Sequence, residues 1–211
     1  MMTLPHKFYP IVNDVSWIER LLPFGVKFIQ YRNKKVDDKG FIREEIKRAL
    51  ELGKKYDAQI VINDYWDIAI EEGAEWIHLG QEDLQSADKE ALKNGEIKLG
   101  TSTHNHDELD YALSFEPDYI ALGPIYETIS KDMVIPAQGL ERITEWKQKI
   151  CDVPLVAIGG ITSETVGAVL DRGADSAACI GDILLHESPE DQAKKWINLT
   201  ENHSTSSTSG K

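Results

Sequence analysis

The sequence predicts an α/β fold, a single-domain (β/α)8 TIM barrel, on three observations. Short apolar runs alternate with helical segments eight times along the chain. The runs are continuously apolar, as parallel strands covered on both faces must be. The whole pattern fits within 211 residues, which suits one compact barrel. The competing architecture, an open flavodoxin-like sheet, would leave strands unused.

Each element has a local reason. Phe8–Val12 is an apolar strand, and Asn13 and Asp14 can cap a helix through Leu22. Val26–Arg32 is the second strand. Asp38 can cap a helix on which Ile42, Ile46, Ala49 and Leu50 recur at helical spacing, with Glu44–Arg48 and Glu51–Lys55 pairs on its wet side. Gln59–Asn63 and a helix over Tyr65–Glu72 follow, then Glu75–Leu79 and a helix over Ala87–Asn94. The remaining units pair Ile97–Ser102 with Asp107–Phe115, and Tyr119–Leu122 with Leu140–Ile150. Leu155–Ile158 pairs with Ser163–Arg172, and Ser176–Ile180 with Glu190–Leu199. The barrel domain is expected over residues 1–200. Residues 201–211, with Ser-Thr-Ser-Ser-Thr-Ser, are expected to be a disordered tail.

Composition narrows the function. Lys and Arg number 23 against 36 Asp and Glu, a net charge of −13. That excess opposes non-specific nucleic-acid binding and docking on anionic membranes, which need clustered cations. An anionic substrate would need a local cationic pocket. With 41% hydrophobic and 28% charged residues, the chain is neither disordered nor collagen-like. Cys151 and Cys179 read as reduced thiols. Met1–Lys7 has no apolar signal-peptide core and no run is long enough to span a bilayer, so a cytoplasmic protein is expected. The sequons at Asn198 and Asn202 then read as chance.

In a barrel, the loops after the strands carry the chemistry, so polar residues at strand ends are the candidates. Gln30-Tyr31-Arg32-Asn33-Lys34 closes the second strand, and alternation puts Gln30, Arg32 and Lys34 on one side. They can hold an anion, or they are a solvated strand exit. Asn63-Asp64 and Gln81-Glu82-Asp83 follow neighbouring strands. Asp64 and Asp83 can form a hard-cation site suited to Mg²⁺, or they are helix caps. His104 and His106 lack a third metal ligand and read as a capping loop. The longest loop, Gly123–Gly139, carries Thr128-Ile129-Ser130-Lys131, which suits phosphate binding or an ordinary surface loop. Gly159-Gly160 and Ile180-Gly181 follow strands seven and eight, where barrels commonly bind phosphate through backbone N–H groups. Gly95–Gly100 has P-loop spacing, but Thr101 stands where Lys is needed.

Taken in order, these strand ends resemble the thiamine-phosphate synthase family, with the TenI thiazole tautomerases as close cousins. The stretches are Gln30–Lys34, Ile62–Asp64, Ile77–Leu84, Ser102–His104, Leu122–Tyr126, Thr128–Lys131 and Ala157–Ile161. The resemblance runs from Phe8 to Ile183. It implies that hydroxymethylpyrimidine diphosphate loses diphosphate through a pyrimidine cation, which the thiazole phosphate nitrogen captures. It implies that Gln30, Tyr31, Arg32, Asn33, Lys34, Asn63, Ser102 and Lys131 meet the pyrimidine diphosphate. Asp64 and Asp83 would bind Mg²⁺. Thr128, Ile129, Ser130, Gly160, Ile180 and Gly181 would meet the thiazole phosphate. Arg32, Lys34, Ser102 and Lys131 would be catalytic.

The chain departs from the family pattern at Asn33, Glu127, Ser130 and Gly181, where Glu, Pro, Thr and Ser are usual. Some tautomerase relatives carry His where Pro124 stands, and a tautomerase has no pyrimidine diphosphate for Gln30, Arg32 and Lys34 to hold. Both features favour the synthase over the tautomerase; a non-catalytic phosphate binder would be marked by the loss of a diphosphate or metal ligand, and none is lost outright. The implied partners are small molecules, with no nucleic acid and no membrane; self-association is left open.

Overall fold

Alternate residues of each strand enter two different cores, and that division creates the barrel. Tyr9 and Ile11 of the first strand point inward with Phe28, Val61, Trp76, Tyr119, Ala121, Val156 and Ala178. Phe8 and Val12 point outward with Ile29, Tyr31, Ile62, Leu79 and Leu122, and the helices pack over them. A computed structural model describes residues 4–128 and 136–203. The strands are β1 Phe8–Val12, β2 Phe28–Tyr31, β3 Gln59–Asn63, β4 Trp76–Leu79, β5 Lys98–Thr103, β6 Tyr119–Leu122, β7 Leu155–Ala157 and β8 Ser176–Cys179. All are parallel, each pairs with the next, and β8 closes on β1. The predicted barrel is the observed one.

The helices are α1 Val15–Leu21, α2 Lys39–Tyr56, α3 Trp66–Glu71, α4 Gln81–Ser86, α5 Lys89–Asn94, α6 His106–Leu113, α7 Glu141–Ile150, α8 Val166–Asp171, α9 Gly181–Leu184 and α10 Pro189–Glu201. Their starts follow the expected chemistry. The Asp14 carboxylate accepts from Ser16 N–H, and Asp38 accepts from Gly40 and Phe41 N–H. Each bond satisfies a donor that the first helical turn leaves open. The predicted helix over Ala87–Asn94 is α5, capped by Asp88, and an unpredicted short helix, α4, precedes it. Helix α10 runs to Glu201, and residues 204–211 of the expected tail lie outside the described residues.

An aromatic plug fills the barrel beneath its mouth. Tyr9 stacks on Phe28 at 4.2 Å between ring centres, and Trp76 meets Phe28 edge-on at 5.4 Å. Tyr119 closes the group at 6.1 Å from both Tyr9 and Trp76. Gly100 is what admits Tyr119: a Cβ there would lie 1.9 Å from the Tyr119 Cζ. The glycine that completes the P-loop spacing therefore has a packing reason. The plug gives the mouth a closed floor, so polar groups above it work partly out of water.

Candidate active site at the barrel mouth

Gln30 and Ser102, read from sequence as strand-end residues, sit at two ends of one hydrogen-bonded chain across the barrel. The Gln30 amide nitrogen donates to the Tyr9 oxygen at 2.9 Å, and Tyr9 and Tyr119 share a bond of 2.9 Å. The Tyr119 oxygen lies 2.8 Å from His78 Nδ1, and His78 Nε2 lies 2.8 Å from Ser102 Oγ. Burial pushes the His78 pKa down to about 4, against a smaller opposing pull from Asp64, so the imidazole is neutral at pH 7. Burial also pushes the Tyr9 and Tyr119 hydroxyls upward, and both stay protonated. The Gln81 side chain fixes the strand end by donating to the Ser102 carbonyl at 2.6 Å.

The cations and carboxylates meet on the next sector. Arg32 continues β2, with its N–H bonded to the Val12 carbonyl at 2.7 Å. Its guanidinium is half-buried and has no carboxylate partner among the described residues. Lys34 pairs with Asp64 at 3.1 Å. Asp64 follows β3 with a left-handed φ of 67°, a strained conformation for a non-glycine residue. Its N–H bonds to the His78 carbonyl, which pins β3 to β4. Asn63, just before it, is buried.

The structure separates the two readings of the carboxylates. Tyr65, not Asp64, is the first flanking residue of α3, and no side chain caps that helix. Gly80 flanks α4, again without a side-chain cap, and Asp83 lies inside its first turn. Neither carboxylate is consumed as a cap. The two interact directly: burial and then the neighbouring Asp64 charge push the Asp83 pKa above its usual range. Two repelling oxygen donors at one spot fit a hard divalent cation, which would relieve that repulsion. Among the described residues no group of three His, Cys, Asp or Glu side chains forms a fuller cage. Any further oxygens would come from substrate or water, as Mg²⁺ sites commonly require. His104 pairs with Glu108, and Asn105 caps α6, so the His-x-His segment is a capping loop as expected.

The opposite side of the mouth is built from backbone. Ile125 N–H bonds to the Ile158 carbonyl and Tyr126 N–H to Gly159, so the loop after β6 lies on the loop after β7. Gly160 has φ +64°, and a Cβ there would approach the Glu127 carbonyl to 2.5 Å. Only glycine suits both conditions. Gly160, Ile180 and Gly181 are exposed at this rim, as are Glu127 and Thr128. Ile129, Ser130 and Lys131 lie outside the described residues. The far end of the same loop is tied back by Gln138 N–H to Pro124 and Gly139 N–H to Ile125. Asp182 anchors the rim from below. Its Oδ2 accepts from Ser163 N–H at 3.0 Å, Gln192 at 2.7 Å and Trp196 at 2.6 Å.

Two sequence expectations need correction. Tyr31 does not face the mouth: it is fully buried in the outer core, and its hydroxyl donates to Glu45 of α2 at 3.3 Å. Strand alternation explains this, since Gln30 points inward and its neighbour must point outward. Asn33 is buried and turned onto its own loop, where Oδ1 accepts from Lys35 N–H at 3.0 Å. It shapes the segment that carries Lys34. Conversely, sequence reading passed over Tyr9, His78 and Tyr119. Their signal was available: each is a polar or aromatic residue at an inward strand position.

The class these features define is a (β/α)8 barrel whose mouth suits phosphorylated small molecules, with cations and carboxylates on one side and glycine backbone on the other. Residues 6–183 match the family Thiamine monophosphate synthase. A thiamine-phosphate synthase from Rhizobium etli is 48% identical over 193 residues, covering 92% of this chain and 94% of that one. One from Enterobacter sp. is 46% identical, covering 89% of this chain and 85% of its own. The solved structure of a thiamine phosphate pyrophosphorylase from Pyrococcus furiosus superposes with a TM-score of 0.81 at 26% identity, covering 92% and 95% of the two chains. The chain belongs to the thiamine monophosphate synthase family, and it is a transferase of thiamine biosynthesis. No described helix is long and apolar enough to cross a membrane.

Proposed function

We propose that this chain joins hydroxymethylpyrimidine diphosphate to thiazole phosphate, releasing diphosphate and forming thiamine phosphate in the cytoplasm. The carrying observation is that Arg32, half-buried and without a carboxylate partner among the described residues, acts on the same His78 imidazole as Lys34 and Asp64, with Asp83 against Asp64. A cation left without a carboxylate, in a chain of net charge −13, is a place kept for an anion.

The reaction asks for two things. Diphosphate must leave with the electron pair of the methylene C–O bond, and the thiazole nitrogen must then give its lone pair to the exposed carbon. That nitrogen has no proton to lose, so no strong general base is needed. Arg32 and Lys34, with Lys131 of the β6 loop, meet the charge growing on the diphosphate. Ser102 and Gln30 hold the pyrimidine end, and Asn63 lies beside them. Asp64 and Asp83 would hold Mg²⁺, which would supply charge neutralisation to the departing diphosphate. The backbone of Gly160, Ile180 and Gly181, with Thr128, Ile129 and Ser130, receives the thiazole phosphate. Holding both partners in line supplies the rest of the acceleration. A dissociative course suits this site, because its charged groups gather around the leaving group and none stands ready to remove a proton.

The test is metal dependence read through the two carboxylates. EDTA should abolish turnover, and Asp64→Asn and Asp83→Asn should each raise the Mg²⁺ concentration needed for half-maximal rate by at least tenfold. Full activity in EDTA would remove the cation from the account. Conversion of a thiazole phosphate tautomer without any pyrimidine substrate would favour the tautomerase reading instead.

A further inference from the structure

We propose that Tyr9, Tyr119 and His78 are positioning residues that hold the Ser102 hydroxyl as a hydrogen-bond donor toward the substrate anion at the barrel mouth. The proposal takes the identity of that anion, the pyrimidine diphosphate, from the synthase reading above; the direction of the chain rests on geometry alone.

The chain runs Gln30, Tyr9, Tyr119, His78, Ser102, through four contacts of 2.8–2.9 Å. The Gln30 amide nitrogen only donates, so the Tyr9 oxygen accepts there. Each hydroxyl has one proton to place, and so does the neutral ring of His78. In one order Tyr9 donates to Tyr119, Tyr119 donates to His78 Nδ1, and His78 Nε2–H donates to Ser102. Every interior proton then has an acceptor, and the Ser102 proton is left over. In the reverse order Ser102 donates to His78 Nε2, His78 Nδ1–H to Tyr119, and Tyr119 to Tyr9. The Tyr9 proton is then stranded on a phenol 1% exposed and packed against Phe28, where an unplaced O–H bears its full desolvation penalty.

With the Gln30 amide nitrogen toward Tyr9, only the first order satisfies the interior, and its consequence emerges at the mouth. Tyr9, Tyr119 and His78 are buried, whereas Ser102 is partly exposed at the end of β5. The spare proton is therefore delivered where an anion can take it. The stacked His78 and Tyr119 rings, 5.6 Å apart at 20°, and the Gln81 bond to the Ser102 carbonyl keep both ends of the link from turning. The side chains act without touching substrate: they fix which way one hydroxyl points before substrate arrives, so no reorientation is needed in the transition state.

The experiment begins with the unaltered protein. Long-range proton–nitrogen NMR on histidine-labelled enzyme, with His78→Gln used to assign the ring, should show the Nε2–H tautomer at His78. The Nδ1–H tautomer would mean that the Gln30 amide and the whole chain run the other way, and would overturn the proposal. Steady-state kinetics supply the second arm. Tyr119→Phe should lower kcat about tenfold while KM for the pyrimidine diphosphate changes less than about twofold, and should have almost no further effect in a Ser102→Ala background. Additive losses in the double variant would assign Tyr119 a packing role alone and overturn the proposal. The two readings fail separately. An Nε2–H tautomer in a protein that makes no thiamine phosphate retires the synthase, while an Nδ1–H tautomer in an active enzyme retires the donor chain.

Discussion

Arg32 shows how little separates a site from a surface at the scale of one residue. Basic side chains elsewhere pair across neighbouring helices, as Arg43 does with Glu71 and Glu72 and Arg172 with Glu141. Such exposed pairs contribute little to stability and need no function. Arg32 has no such partner among the described residues, and its charge acts on the same His78 imidazole as those of Lys34 and Asp64. Burial can work against an acid elsewhere. Asp118 accepts from Leu99 N–H at 2.7 Å, yet burial pushes its pKa upward despite that bond and nearby Lys98. The folded protein therefore keeps the Asp118 proton to higher pH than the unfolded chain does. Stability contributed by this residue is present at low pH and falls as pH rises through the carboxylate range. Asp118→Asn should therefore gain melting temperature relative to the parent at pH 7, and the gain should shrink toward pH 3. A difference that stays constant between the two would show that the Asp118 charge is not disfavoured. At this scale strand parity made Gln30 and Ser102 legible, and it would also have placed Tyr31 outside. The partners of His78 were hidden, because its bonds to Tyr119 and Ser102 span 41 and 24 residues and leave no local pattern.

Elements decide where those residues end up. Strands β1, β3 and β6 begin and end where their apolar runs do, while β2 is shorter than its run at both ends, although the Arg32 N–H still bonds to the Val12 carbonyl of β1. Helix α4 escaped notice for a physical reason. It has no side-chain cap, and Leu84 is its sole fully buried residue, so neither capping nor periodicity announces it. It is nonetheless the element that carries Asp83. The rim loops give two tests. Gly160→Ala would force a Cβ into the Glu127 carbonyl at a left-handed φ, a strain of about 1–3 kcal/mol. KM for thiazole phosphate should rise roughly tenfold, with KM for the pyrimidine diphosphate nearly unchanged; equal effects on both would place the two phosphates on one side. Asp182→Ala would strand the Ser163, Gln192 and Trp196 donors. Unfolding free energy should fall by about 3 kcal/mol or more, measured by urea denaturation. A loss under 1 kcal/mol would show that the triple acceptor does not hold α9 to α10.

The whole molecule resolves the conflict between an acidic chain and anionic substrates. Its negative charge is spread over the helical shell, while the cations that matter are gathered above an aromatic plug. The barrel itself was legible from eight apolar runs, since continuous burial on both faces leaves few other topologies. Closure of the sheet was legible only indirectly, because β8 meets β1 through contacts about 170 residues apart. The division of the mouth into a diphosphate side and a phosphate side emerges only when the loops are brought together. One measurement tests it most directly: product formation from hydroxymethylpyrimidine diphosphate and thiazole phosphate with Mg²⁺, followed by mass spectrometry beside reactions lacking either substrate. The account predicts thiamine phosphate and diphosphate in equal amounts, only when both substrates are present. Absence of thiamine phosphate while both substrates bind would contradict it.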